Sequence, residues 1–135
     1  MYKIESKPKY TILAQKTINM IYLQVQNDSR RSFSIPINSL CKILDIHNEH
    51  NVMHIIKNTL LELKKPIEFL DFYHPLRDQK YDRYIVSIID SAGIYRRDNQ
   101  WYVKINVNKL FFYFFQQKKS NFPKQLMDLD ESRNL

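Results

Sequence analysis

The spacing of hydrophobic positions along this chain changes several times, and each change marks a new element. Between residues 10 and 26, Ile12, Leu13, Ile18, Ile21, Tyr22 and Val25 recur near the helical period, with Gln15, Lys16, Asn19 and Gln26 on the other side. This predicts a first helix, closed by the turn-forming Asn27-Asp28-Ser29. Arg30-Arg31 lead into Phe33-Ser34-Ile35-Pro36, whose alternation predicts a short strand that loses its pairing at the proline. Asn38 or Ser39 can cap a second helix over 38–46, with Leu40, Ile43 and Leu44 as its apolar stripe. A third helix is expected over 50–65. Val52, Ile55, Ile56, Thr59, Leu60 and Leu63 form its inner face; His50, Asn51, His54, Lys57, Asn58, Leu61 and Lys65 project around the other. Pro66 ends it, because a residue before proline is pushed out of the helical region.

Beyond Pro66, residues 67–72 read as a strand and His74 to Gln79 as a polar connector. The β-branched run from Tyr84 to Ile89 and the alternation of Trp101, Val103, Ile105 and Val107 with Tyr102, Lys104 and Asn106 predict a long hairpin of strands 84–95 and 101–107. Gly93 is expected to mark a bulge, and Asp98-Asn99 the turn beside a basic tip, Arg96-Arg97. A fourth helix, 108–118, carries the block Phe111-Phe112-Tyr113-Phe114-Phe115. A helix so apolar all round needs cover on more than one side. The order of strand, helix pair, strand and hairpin predicts an α+β fold: a winged helix with a long β-hairpin wing, flanked by an N-terminal and a C-terminal helix. Residues 1–118 form this domain, and 119–135 read as a linker or tail.

Composition narrows the class. At 135 residues, with 44% hydrophobic and 26% charged residues, the chain can bury a core as one domain. The 21 Lys and Arg exceed the 14 Asp and Glu, and a net charge of +7 favours a polyanionic partner. Cys41, the only cysteine, excludes an internal disulfide, fits a reducing compartment and reads as a small buried hydrophobe among Leu40, Ile43 and Leu44. The opening residues lack a signal-peptide core, and the longest apolar run, Leu110 to Phe115, is too short to span a bilayer. A cytoplasmic location without a membrane partner is expected.

The helix pair carries the strongest functional signal. The second helix of such a pair fits a major groove about 12 Å wide, and Asn51, His54, Lys57 and Asn58 share one exposed face of it. Arg96 and Arg97 at the hairpin tip would reach a minor groove or phosphates. Lys64 and Lys65 extend the basic surface, though they suit the helix dipole equally well. A solvated surface is the alternative for each of these residues. His47, His50 and His54 lack the glutamate of an HExxH site, so surface histidines are preferred to a metal. One glycine in the whole chain excludes a P-loop or dinucleotide fingerprint, no catalytic triad or Cys-His pair is suggested, and no cofactor or catalytic residue is expected. Asp128, Asp130 and Glu131 read as a solvated acidic tail. The block from Phe111 to Phe115 is either core or an interface with a second copy or domain.

At this point the chain resembles the N-terminal winged-helix (WH1) domain of the iteron-binding plasmid replication initiators of the Rep_3 type. The resemblance runs from about Tyr10 to Phe115 and rests on YTILAQKTINMIYLQV, FSIPINSLCKIL, NTLLELKKPIEF and SIIDSAGIYRRDNQWYVKINVNKLFFYF. It implies a non-catalytic protein that binds repeated sites in double-stranded DNA at a plasmid origin, forms a homodimer through this first domain and recruits host replication proteins. Such initiators usually carry a second winged-helix domain, so the chain reads either as an excised first domain or as a short relative. A winged-helix transcriptional repressor and a small phage or plasmid inhibitor of a host factor are the alternatives. A palindromic target marks the repressor, and failure to bind duplex DNA marks the inhibitor.

Overall fold

The computed structural model describes residues 3–47, 51–117 and 122–126. Its elements in chain order are β1 Lys3–Ser6, α1 Ile12–Asp28, β2 Ser32–Pro36, α2 Ile37–Leu44, α3 Val52–Lys64, β3 Ile67–His74, β4 Gln79–Val86, β5 Ile89–Arg97, β6 Gln100–Val107 and α4 Lys109–Gln116. Residues 122–126 add a further helical turn. The strands form two antiparallel sheets, in the orders β2-β6-β5 and β1-β3-β4. The sequence α1, β2, α2, α3, β5, β6 is a winged helix, with β3 and β4 inserted between α3 and the wing.

Local chemistry explains most boundaries. Thr11 caps α1 by accepting the Ala14 N–H, and Ser29 ends it in the left-handed region at φ 49°, donating its N–H to Val25 O. Asp98 and Asn99 hold φ of 52° and 62°; two left-handed residues in succession match the twist of a two-residue hairpin turn and set the register Arg97↔Gln100. The cap expected at Asn38 or Ser39 is not used: α2 begins at Ile37, directly after Pro36, so both residues lie inside its first turn.

Three other expectations change. The run from Tyr84 to Tyr95 is two strands in different sheets. Ile88 and Ile89 are both fully buried, and adjacent residues of one regular strand cannot face the same side. The chain switches sheets there, with β4 pairing to β3 and β5 to β6. The strand after Pro66 therefore belongs to the inserted sheet, and the connector after His74 is a hairpin turn, with Asp78 at φ 49°. Gly93 sits in regular pairing opposite Lys104; the irregularity lies between Ile89 and Ser91.

The β1-β3-β4 sheet, α1 and Phe122 cover the aromatic block. Phe69 and Phe72 stack at 4.8 Å, Phe111 approaches Phe122 at 5.3 Å, and Phe115 meets Tyr22 of α1 edge-on at 6.0 Å. Phe111 and Phe115 have no exposed surface, which corrects the expectation that the block as a whole serves a dimer or domain interface. Phe112, Tyr113 and Phe114 are half-buried. Phe122 and Leu126, in the segment expected to be linker or tail, are also buried in this core.

Phe111→Ala should destabilise the fold by about 3–5 kcal/mol, as large-to-small changes in packed cores do, read as a lower urea midpoint. Tyr10 offers the opposite case. Its hydroxyl is buried without a hydrogen-bond partner among the described residues, and burial, reinforced by the Glu62 charge, disfavours its ionised form. Tyr10→Phe removes that unsatisfied group and should raise stability by about 1 kcal/mol; a lower urea midpoint would count against it.

Candidate nucleic-acid interface

The rotation of α3 is fixed by what it buries. Ile56, Thr59, Leu60 and Leu63 face the core, and the Thr59 hydroxyl is spent on Ile55 O at 2.8 Å. Asn51, His54, Lys57, Asn58, Leu61, Lys64 and Lys65 are consequently exposed, as the spacing predicts. They are not equally free. The Asn58 amide and the His54 ring lie 3.1 Å apart, four residues along the same face. Lys64 donates its ammonium to Asp90 O at 2.7 Å, and Ser87 donates to Lys64 O at 2.6 Å, so the C-terminal end of α3 is tied to the start of β5. Among the described residues, the side chains of Asn51 and Lys57 make no such link.

Between α3 and β5 lies a groove of ≈470 Å³, with Lys57, Leu61 and Lys64 on one wall and Ala92, Gly93 and Ile94 on the other. The groove is open at Gly93, where an added Cβ would meet nothing within 4 Å. The hairpin carries this wall outward to the wing tip. Side chains alternate along a strand, so Arg96 shares a face with Ala92 and Ile94, whereas Arg97 shares the opposite face with Tyr95. Arg96 is oriented by two neighbours: it donates to Asn99 Oδ1 at 3.0 Å and lies 6.0 Å from the Trp101 ring centroid, its cross-strand partner. The eight candidates thus divide. Lys57, Lys64 and Arg96 border one groove or its extension, with Asn51, His54, Asn58 and Lys65 on the exposed part of α3, while Arg97 faces away.

Two contributors escape sequence reasoning. Trp101 is paired to Arg96 by the two-residue turn, a register that Asp98-Asn99 would have supplied. Asp90 is the other. It accepts from Lys64 through its carbonyl, from Asn108 at 2.8 Å and from Arg31 at 3.3 Å through its carboxylate. No local pattern marks it, because its partners lie in three distant segments.

His47 pairs with Asp45, and His50 lies outside the described residues, as do Asp128, Asp130 and Glu131. Among the described residues no three His, Cys, Asp or Glu side chains converge. Burial pushes the Cys41 thiol up, away from the thiolate form a nucleophile needs. No helix among the described residues is long and apolar enough to cross a membrane.

Residues 3–132 match the family described as "Initiator Replication protein, WH1". Among solved structures the chain is similar to "domain2 and domain 3 of RctB", with a TM-score of 0.53 and 6% sequence identity over 97% of this chain. It spans 63% of that chain's length, and identity this low speaks to fold alone. No curated protein matches. The family match covers the winged helix, the inserted sheet and the closing aromatic helix together, and the chain belongs to the WH1 family of initiator replication proteins.

Proposed function

We propose that this chain is the DNA-binding, self-associating part of a plasmid replication initiator, acting in the cytoplasm on repeated origin sites and on host replication proteins without catalysing a reaction. The observation that carries this reading is the placement of Lys57, Lys64 and Arg96 along one groove and its extension, with Asn51 at the exposed start of the same helix. A helix that lies in a major groove puts such side chains on base edges, and cationic side chains on phosphates fix its register. Asn51 and Lys57 are the best placed on α3, because Asn58 is engaged with His54 and Lys64 with Asp90.

Self-association fits a different surface from the aromatic block. Ile12 and Leu23 of α1 and Ile43 of α2 are exposed by 71%, 49% and 46%, and Leu23 and Ile43 border one shallow groove between the helices. This is apolar area that a second copy would cover.

Each phosphate contact adds about 0.9 to the slope of log affinity against log salt. Replacing Arg96 and Arg97 together by alanine should flatten that slope by up to about 2 units on any duplex, and Arg96→Ala alone should account for the larger share. Fluorescence anisotropy over a salt series measures both; an unchanged slope would remove the wing from the interface. Sedimentation from about 1 to 100 micromolar spans the affinities expected of a modest dimer contact. Leu23→Glu with Ile43→Glu should shift the chain to monomer there, and an unaltered dimer would place the contact elsewhere.

A further inference from the structure

The groove between α3 and β5 has an apolar floor beneath its basic rim. Leu61 is 54% exposed in one wall, and Ala92 and Ile94 border it from β5. Lysines suit phosphates, but apolar side chains in a groove gain nothing from them; they gain from covering by another apolar group. Beside this floor runs a strand edge. β5 pairs with β6 alone, so alternate N–H and C=O groups on its other edge have no strand partner among the described residues. Asp90 O, at the start of β5, is turned towards α3, where Lys64 donates to it at 2.7 Å. Ser91, Ala92 and Gly93 beyond it are exposed and small enough for another backbone to come alongside. An open strand edge with an apolar pocket next to it is what an extended peptide needs in order to add a strand to a sheet.

The charges select the occupant. Lys57 and Lys64 stand two turns apart on α3, about 10 Å along the helix, with Leu61 between them. In an extended segment, residues four apart share a face and are separated by about 13 Å, a span that flexible lysine stems accommodate. An acidic, an apolar and a second acidic residue at alternate positions therefore match Lys57, Leu61 and Lys64 in turn. The one carboxylate in the lining, Asp90, is taken up by Asn108 at 2.8 Å and Arg31 at 3.3 Å. A second copy of the chain is the wrong occupant. Pairing two β5 edges about a two-fold axis would bring the Lys57 and Lys64 of both copies together, in a chain whose net charge is already +7.

We propose that this groove is a docking site for an extended acidic segment of a partner protein, which adds a strand to β5 and seats an apolar side chain on Leu61 between Lys57 and Lys64. The site does not rest on DNA binding, which would use the two lysines but neither the floor nor the strand edge.

The test follows the Ala92, Gly93 and Ile94 amides of the whole chain by NMR, without DNA, as a threonine heptapeptide is added that carries a central valine and an aspartate two residues to either side. A saturable shift and slower hydrogen exchange among these amides are expected with a Kd of about 1 mM or below. The same peptide with lysine in place of both aspartates should bind at least about tenfold more weakly, the loss of two charge-assisted contacts. Lys57→Glu should remove that preference, and Leu61→Ser should weaken the aspartate peptide several-fold. Both residues are exposed, and circular dichroism of the variants confirms that the fold is kept. Three results overturn the proposal: no response of the β5 amides to the peptide, equal affinity of the unaltered chain for the two peptides, or β5 amides that respond to a short duplex and not to the peptide.

Discussion

The geometry of the candidate interface depends on the junction where the chain leaves one sheet and enters the other. Around Asp90 four otherwise separate pieces are tied together: the end of α3 through Lys64, the segment before β2 through Arg31, the cap of α4 through Asn108, and β5 itself. These bonds are mostly exposed, and each adds only on the order of 1 kcal/mol. Their importance is directional. Without them the phenylalanine core would still hold the elements together, but little would fix the end of α3 against the first residues of the wing, and the groove between them owes its width to that distance.

Much of this was legible in the sequence. The α3 stripe from Ile56 to Leu63 and the alternation from Trp101 to Val107 are strong periodic signals, and the elements they predict are present close to the expected bounds. What failed were inferences from composition where the periodicity was silent. The run Ile85-Val86-Ser87-Ile88-Ile89 is rich in β-branched residues throughout, so it reads as one strand; only the adjacent buried pair Ile88 and Ile89 betrays the switch. β1 was invisible for the converse reason. Of its four residues only Ile4 is even half-buried, so it has no hydrophobic pattern to detect and exists by pairing with β3.

The site was legible in kind and less so in detail. Exposure of the candidate side chains on α3 follows from period alone, and the wing tip from Asp98-Asn99. Which arginine faces the groove requires the register, and which polar groups are already engaged requires tertiary partners such as Asp90 that no local window contains. The aromatic block shows the same limit. Five successive aromatics cannot share one face, but whether a partner or the domain itself covers them depends on how the inserted sheet and Phe122 pack on the block, which no periodicity within the block shows.

Inserting a second sheet also leaves four strand edges to manage, and the chain treats them unequally. β1 is four residues long with Lys3 and Glu5 on it, β2 ends at Pro36, and β4 carries Lys80, Asp82 and Arg83. Charge, shortness and proline are the usual defences against edge-to-edge association. β5 has none of these along Ser91-Ala92-Gly93, where small side chains leave the backbone accessible. Its protection is α3 alongside, with Lys57 and Lys64 standing over the groove. The two lysines that line the basic groove therefore also stand beside the barest strand edge, so the charge of that face and the cover of that edge rest on one arrangement.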